Sequence, residues 1–155
     1  PFPTQMFLLN NYMMLTNASP SNRFSDQIDL KPYSHGMGAL GLPGDGSSSS
    51  RFIRAAFHKV HSVSGKSEEE SVNQFFHLLG SVEQVRGSSR TERNLYETTE
   101  YTSCCSADRG IYYYTTYSNH QITAVNLFRE DLEEKKLISF PLVRTEWVRY
   151  ENERP

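Results

Sequence analysis

The segment GLPGDGSSSSRFIRAAF, residues 41–57, places two cations in the first turns of a predicted helix. Glycines and serines precede Arg51 and Arg54, and an apolar stripe follows. Because the N-terminus of a helix carries partial positive charge, a cation there costs up to about 1 kcal/mol. Sequences break such local rules mainly where function requires it. Arg51 is therefore a candidate functional residue, although its position opposite the apolar stripe also fits an ordinary surface arginine.

Other chemistry in this segment is not supported by its spacing. The glycines at 41–46 have the spacing of a phosphate-binding P-loop, but Ser47 stands where the required lysine would follow Gly46. The serines at 47–50 lack the G-x-S-x-G spacing of a nucleophile elbow. We interpret Ser49 or Ser50 as the N-cap of the helix instead.

The histidines and cysteines do not form a metal-binding pattern. His58 and His61 lie three residues apart on the predicted helix, without an H-E-x-x-H motif or a third ligand at a suitable spacing. Cys104 and Cys105 are adjacent in a strand pattern, so their side chains point to opposite faces and cannot easily share a metal or a disulfide. We expect no metal, no cofactor and two buried, reduced thiols.

Length and composition describe a globular chain. Its 155 residues, 37% of them apolar and 22% charged, are enough for one domain with its own core. The net charge of −2 argues against a nucleic-acid partner, and no apolar run is long enough to insert in a membrane. Because the chain starts at Pro1 without an initiator methionine, we expect it to be part of a longer protein.

Helical patterns come first along the chain and strand patterns follow, which predicts an α+β fold. The third predicted helix has a capping box, with Ser67 as the cap and Glu70 closing it, and Gly87 as its stop. An antiparallel meander is predicted after it. The predicted helices are 2–15, 50–61 and 68–86, and the predicted strands are 95–105, 111–117, 122–128 and a last one at 137–143.

Three long segments closely resemble the choloylglycine hydrolase family, whose members are bile salt hydrolases and penicillin V acylases. They are YSHGMGALGLPGDGSSSSRFIRAAF at 33–57, SVNQFFHLLGSVEQVRG at 71–87 and YYYTTYSNHQITAVNLFREDLEEKKLISFPL at 112–142. The resemblance runs from near Pro1 to about Leu142 and is strongest to bile salt hydrolases of Gram-positive bacteria. It implies an αββα N-terminal-nucleophile sandwich, of which residues 1–155 would be the C-terminal portion of a single domain.

The resemblance also implies where the catalytic groups lie. The nucleophile would be a cysteine at the mature N-terminus, upstream of this chain, with its own α-amino group as the general base. Arg51 matches the arginine of the family's SRF motif, which implies a guanidinium that favours the thiolate. Arg54 matches a second arginine that the family often carries, and we do not expect it to be catalytic.

Residues 10–36 resemble the family's protruding assembly motif, which in relatives reaches a neighbouring subunit and helps to build a homotetramer. Tyr12, Met13, Met14 and Phe24 are apolar groups among turn residues. They either form an interface or pack beneath their own loop, and the resemblance favours the interface.

Taken together, the resemblance implies a cytoplasmic bacterial amide hydrolase that removes glycine or taurine from conjugated bile salts. Its expected partners are the bile salt, the N-terminal half of the same enzyme and further copies in a homotetramer. A penicillin V acylase of the same family is the alternative. A third hypothesis, from another class, is an inactive fragment that serves only as a structural or assembly piece.

Overall fold

A computed structural model describes residues 2–152, and the chain divides into two compact units, residues 1–63 and 64–155. The first unit is helical, and the second combines one helix with a three-stranded sheet. The predicted α+β class is confirmed. The elements are α1 (Phe2–Leu8), α2 (Ser48–His61), α3 (Glu68–Gly80), β1 (Tyr101–Ser106), β2 (Ile111–Thr116) and β3 (Asn119–Asn126), with 3-10 turns at Leu9–Tyr12, Met37–Ala39 and Leu127–Arg129.

Helix α1 is shorter than the sequence predicts. It ends at Leu8 and continues only as the 3-10 turn Leu9–Tyr12, so the predicted helix to Leu15 is wrong beyond that turn. The Asn10 side chain donates a hydrogen bond to the carbonyl of Phe7 at 2.7 Å. Such local side-chain bonds compete with the helical backbone ladder, which explains the early end.

Helix α1 packs against the start of α2. The rings of Phe2 and Phe52 meet edge to face, with centroids 5.9 Å apart, and Gln5 Nε2 donates to Ser48 Oγ at 3.2 Å. Edge-to-face pairing is a favourable aromatic geometry. On another side of α2, Ile53 is only 3% exposed. These contacts fix the position of the helix that carries Arg51.

A close backbone approach at Gly38 orders the long segment between α1 and α2. Thr16 N donates to the carbonyl of Gly38 at 2.9 Å. A Cβ atom added to Gly38 would lie 2.0 Å from the carbonyl oxygen of Ala18 and 2.5 Å from that of Thr16. Only glycine fits at this position, because any side chain would collide with rigid backbone.

The sheet of the second unit is the predicted antiparallel meander, in the order β1-β2-β3. Cys104 pairs with Tyr113, and Tyr112 pairs with Val125. Because side chains alternate along a strand, Tyr113 and Tyr112 point to opposite faces of the sheet. The first strand begins only at Tyr101, so the predicted start at residue 95 is wrong.

Helix α3 is fastened to the sheet through Glu68, in its first turn. Tyr113 donates its hydroxyl hydrogen bond to Glu68 Oε1 at 2.6 Å, and Arg109 Nε lies 2.9 Å from Glu68 Oε2. The hydrogen bond to Glu68 raises the pKa of Tyr113 to about 12, so the phenol remains a donor. A carboxylate in the first turn is also favoured by the helix dipole.

The predicted cap of α3 is confirmed, but two details differ. Ser67 Oγ accepts from Glu70 N at 3.1 Å, whereas the Glu70 carboxylate accepts from Lys66 N and not from Ser67 N. The helix ends at Gly80, so the predicted stop at Gly87 is wrong. The hydroxyl of Ser81 donates to the carbonyl of Leu78 at 2.6 Å, a local bond that ends the ladder early.

The predicted last strand at 137–143 does not form. The backbone of Val143 bonds to side chains instead of to a strand: its N–H donates to Tyr114 Oη at 3.3 Å, and its carbonyl accepts from Thr116 Oγ1 at 2.8 Å. Pro141 has no N–H to give to a ladder. Within residues 2–152, none of the helices has the length and apolar character that a bilayer-spanning segment needs.

A pair formed by His120 and Glu146 ties the C-terminal segment to β3. The backbone N–H of His120 donates to both carboxylate oxygens of Glu146, at 3.2 and 3.3 Å. The ring nitrogen Nδ1 of His120 lies 2.5 Å from Glu146 Oε2. The hydrogen bond with Glu146 raises the pKa of His120, and the same bond lowers the pKa of Glu146. Because the His120 side chain is 80% exposed, solvent screens much of this attraction.

The two pKa shifts give the pair a limited pH range. The raised pKa of His120 gives stability that is lost as the pH rises through it, above about pH 6.5. The lowered pKa of Glu146 gives stability that is lost as the pH falls below the ordinary glutamate value of 4.5 and through the lowered pKa. The pair therefore holds the segment best at mildly acidic pH.

We expect Glu146→Gln to lower the pKa of His120, because the amide cannot stabilise the imidazolium as a carboxylate does. The measurement is an NMR titration of the imidazole resonances of His120. Glu92→Gln, which changes an exposed carboxylate elsewhere, is the matched control. An unchanged His120 midpoint in Glu146→Gln would contradict the pairing.

Candidate functional site

Arg51 lies in the first turn of α2, as the sequence predicts. The cap, however, is Ser47, and the predictions of Ser49 and Ser50 are wrong. Ser47 Oγ accepts from Ser50 N at 3.3 Å, and Arg51 N donates to the Ser47 carbonyl at 3.0 Å. Arg51 therefore provides one of the first backbone hydrogen bonds of the helix.

The carboxylate of Asp45 organises this helix start. Its Oδ1 accepts from Ser47 N at 2.8 Å, and its Oδ2 accepts from the hydroxyl of the buried Ser50 at 2.5 Å. Hydrogen bonding from Ser47 and Ser50 holds the pKa of Asp45 well below its ordinary value. The carboxylate is therefore ionised at working pH, and its negative charge suits the N-terminus of a helix.

Arg54, one turn further along α2, reaches back to the preceding loop. Its Nη1 donates to the carbonyls of Pro43 and Asp45, each at 2.8 Å. The loop is thus held to the helix twice, by the side chain of Arg54 and by the side chain of Asp45. Together these bonds make the loop and the first two turns of α2 one connected structure.

The guanidinium of Arg51 has a different environment. Among residues 2–152, its Nε is the one buried side-chain nitrogen or oxygen without a hydrogen-bond partner. Such a donor is costly unless something else bonds to it. A guanidinium keeps its charge and presents a planar fork of donors, so this position is suited to an anion such as a thiolate, an oxyanion or a carboxylate.

The two adjacent cysteines of β1 differ in exposure. Cys104 is half-buried and Cys105 is exposed, so the expectation that both are buried is wrong for Cys105. Adjacent strand residues face opposite ways, which places one of the two on the less covered face. Burial raises the pKa of the Cys104 thiol, which reduces the fraction present as reactive thiolate.

His58 and His61 lie on α2 beside an aromatic ring and not in a ligand cluster. The ring of Phe57 has its centroid 4.6 Å from that of His61 and 5.7 Å from that of His58. Within the part of the chain that the structure describes, no group of three histidine, cysteine, aspartate or glutamate side chains could hold a metal ion.

The residues proposed for an interface are mostly at the surface. Met13, Met14 and Phe24 are 74%, 67% and 80% exposed, and Tyr12 is half-buried at the end of its 3-10 turn. Asn22 orders the loop, since its amide donates to the carbonyls of Ser25 and Ile28 at 3.0 and 2.6 Å. Its Oδ1 accepts from Phe24 N at 3.1 Å, and this ordered turn carries the exposed ring.

Sequence reasoning missed the hydrogen-bonded group around Arg51. Asp45 and Arg54 were not interpreted as part of it, and Ser50 was interpreted as a cap. One signal was present: an aspartate two residues before a serine commonly bonds to the backbone N–H at that position. No comparable signal predicts that Arg54 reaches Pro43, because that contact depends on the path of the loop.

Residues 1–140 match the linear amide C–N hydrolases of the choloylglycine hydrolase family. The chain is 55% identical over 141 residues to a bile salt hydrolase/transferase of Lactiplantibacillus plantarum, covering 91% of this chain and 44% of that relative. It is 37% identical over 145 residues to a bile salt hydrolase/transferase of Clostridium perfringens, covering 93% and 44%. The chain thus spans less than half the length of the curated relatives it matches.

Solved structures agree with the sequence comparison. A cysteine-to-alanine variant of the conjugated bile acid hydrolase from Clostridium perfringens superposes with a TM-score of 0.85 at 35% identity, over 98% of this chain and 46% of that one. A penicillin V acylase from Agrobacterium tumefaciens gives 0.60 at 18% identity, over 87% and 36%, a likeness of fold alone. The predicted fold, part of an αββα N-terminal-nucleophile sandwich, is confirmed.

Proposed function

Because the chain belongs to the choloylglycine hydrolase family, we propose that it forms part of a bile salt hydrolase. The proposed reaction is hydrolysis of the amide that joins a steroid acid to glycine or taurine. The names of the relatives at 55% and 37% identity support this substrate class over penicillin V. The proposed location is the bacterial cytoplasm, a reducing compartment in which the two free cysteines would remain thiols.

The observation that carries the proposal is the unpartnered, buried Nε of Arg51 at the start of α2. We assign Arg51 as a catalytic residue whose guanidinium stabilises the thiolate of a cysteine outside residues 1–155. The α-amino group takes the proton of the thiol, the thiolate attacks the amide carbonyl, and the C–N bond breaks as the resulting α-ammonium returns that proton to the leaving amine. Water then hydrolyses the acyl thioester, which releases the steroid acid and regenerates the thiol.

The proposed N-terminal half of the enzyme also explains the uncovered apolar surface. Among the described residues, Ile53 and Tyr114 are the large apolar side chains that are buried. Others are strongly exposed, such as Phe7 at 72% and Leu137 at 92%. Such exposure favours a further covering segment, since large apolar patches on a protein usually mark contact surfaces.

The assembly proposal has support of the same kind. The exposed Met13, Met14 and Phe24, with the half-buried Tyr12, form the part of residues 10–36 that would contact a neighbouring subunit of a homotetramer. Methionine side chains adapt to irregular partner surfaces, which suits this role.

The experiment that tests the function is hydrolysis of glycocholate and taurocholate by the full-length protein, with penicillin V as the competing substrate. We expect release of glycine and taurine, and loss of that release after thiol alkylation. The double variant Cys104→Ser, Cys105→Ser should keep its activity and its sensitivity to alkylation. Faster hydrolysis of penicillin V, or activity that survives alkylation, would contradict the proposal.

A further inference from the structure

We propose that Arg54 is a positioning residue that sets the direction of Arg51, an inference that rests on the catalytic role proposed above. Arg54 does not act on the substrate in this view. It holds the loop before α2 in place, and the loop in turn fixes the first turn of the helix from which Arg51 projects.

The Nε of Arg51 has no hydrogen-bond partner among the described residues, so that atom does not fix the direction of the guanidinium. The backbone at the start of α2 sets the point from which the side chain projects. Ser47 caps that backbone by accepting a hydrogen bond from Ser50 N. The Asp45 carboxylate in turn accepts hydrogen bonds from Ser47 N and from the Ser50 hydroxyl.

Asp45 is bonded both to the start of α2 and to Arg54. Its side chain accepts hydrogen bonds from Ser47 and Ser50, and its carbonyl accepts from Arg54 Nη1 at 2.8 Å. The same nitrogen also donates to the Pro43 carbonyl at 2.8 Å, two residues earlier in the loop. Arg54 is thus connected through the loop to Ser47, the cap of its own helix.

Arg51 and Arg54 lie three residues apart on α2, a spacing that places their side chains next to each other on the helix surface. Two cations at the N-terminus of a helix repel each other and the dipole. Arg54 donates to the carbonyls of Pro43 and Asp45, so its guanidinium lies against the loop, where carbonyl dipoles offset its charge.

The hydrogen bonds from Arg54 to the loop allow a test that separates the roles of the two arginines. One nitrogen atom, Arg54 Nη1, donates to both carbonyls, and a lysine ammonium can also donate to two acceptors. A lysine at position 54 should therefore be able to keep the link to the two loop carbonyls. A lysine at position 51 should not replace Arg51, because it lacks the planar fork. The two arginines should respond to the same substitution in opposite ways.

The experiment compares Arg54→Met, Arg54→Lys and Arg51→Lys in the full-length protein, with Lys59→Met as the control for an exposed cation on the same helix. We expect Arg54→Met to lower kcat for glycocholate by about 10- to 100-fold, as a displaced catalytic group does, with KM changed less than about twofold. Arg54→Lys should keep most of kcat, Arg51→Lys should lose it, and Lys59→Met should match the wild type. A crystal structure of Arg54→Met should show the Arg51 guanidinium displaced.

Several results would overturn the inference. They are a wild-type kcat in Arg54→Met, a lower melting temperature without a lower kcat, or an unmoved Arg51 in the crystal structure. If Arg54→Met does not fold, Arg54→Gln replaces it, because glutamine keeps a donor but is shorter. If the wild type does not hydrolyse bile salts, the proposed function is refuted. The positioning role is still tested, because the crystal structure of Arg54→Met shows whether Arg51 has moved.

Discussion

Replacing Arg51 by alanine in the full-length protein lowers kcat for conjugated bile salts by about 100-fold or more, and the protein remains folded. The loss of one preorganised charge or donor at a reaction centre commonly has an effect of this size. Folding should persist because Arg51 Nε has no hydrogen-bond partner among the described residues, so the substitution breaks no such bond at that atom. The measurements are steady-state kinetics with glycocholate and a thermal melt of the same preparation.

The matched control for this result is Lys59→Ala, which removes an exposed cation from the last turn of the same helix. It should leave kcat unchanged, so a loss in Arg51→Ala cannot be attributed to the net charge of α2. Turnover of Arg51→Ala within about twofold of the wild type, a far smaller change than the loss of a catalytic charge produces, would remove Arg51 from the catalytic site.

Replacing Gly38 by alanine should lower the free energy of unfolding by about 1–3 kcal/mol, the usual range for forcing an extra carbon into a packed site. The new Cβ would lie 2.0 Å from the Ala18 carbonyl oxygen and 2.5 Å from that of Thr16, so backbone has to move. That movement should also weaken the 2.9 Å hydrogen bond from Thr16 N to the Gly38 carbonyl. Denaturant unfolding of the full-length variant measures the change.

Gly44→Ala provides the control for Gly38→Ala in the same unit. A Cβ at Gly44 meets no atom within 4 Å, and its φ is not in the left-handed region. We expect its free energy of unfolding to stay within about 0.5 kcal/mol of the wild type, as is usual for surface substitutions. Equal stability of the two variants would mean that the segments around Thr16 and Gly38 do not pack as described.

The regular elements were predictable from sequence because their determinants are local. The cap at Ser67 and the apolar periodicity after it predict α3, and the tyrosine- and threonine-rich runs predict β2 and β3. The errors occur where side chains compete with the backbone. The Asn10 amide ends the first helical segment, and the Ser81 hydroxyl ends α3 before the glycine that was expected to do so.

The candidate site was predictable only in part, for a related physical reason. Arg51 breaks the dipole rule at a helix start, so it can be identified from sequence. The bonds from Arg54 to Pro43 and Asp45 cannot be identified in this way. Arg54 and Pro43 are eleven residues apart in sequence, and they meet only because the loop folds back along the helix. The pairing of His120 with Glu146 spans 26 residues and depends on a C-terminal segment that was predicted as a strand.

The central claim is that the Arg51 guanidinium lies against a nucleophilic thiol supplied from outside residues 1–155. A crystal structure of the full-length enzyme tests it most directly, through the distance between the guanidinium nitrogens of Arg51 and the sulfur that alkylation identifies as reactive. We predict that the two groups are in hydrogen-bonding contact. An Arg51 side chain that points into bulk solvent, remote from that sulfur, would contradict the account.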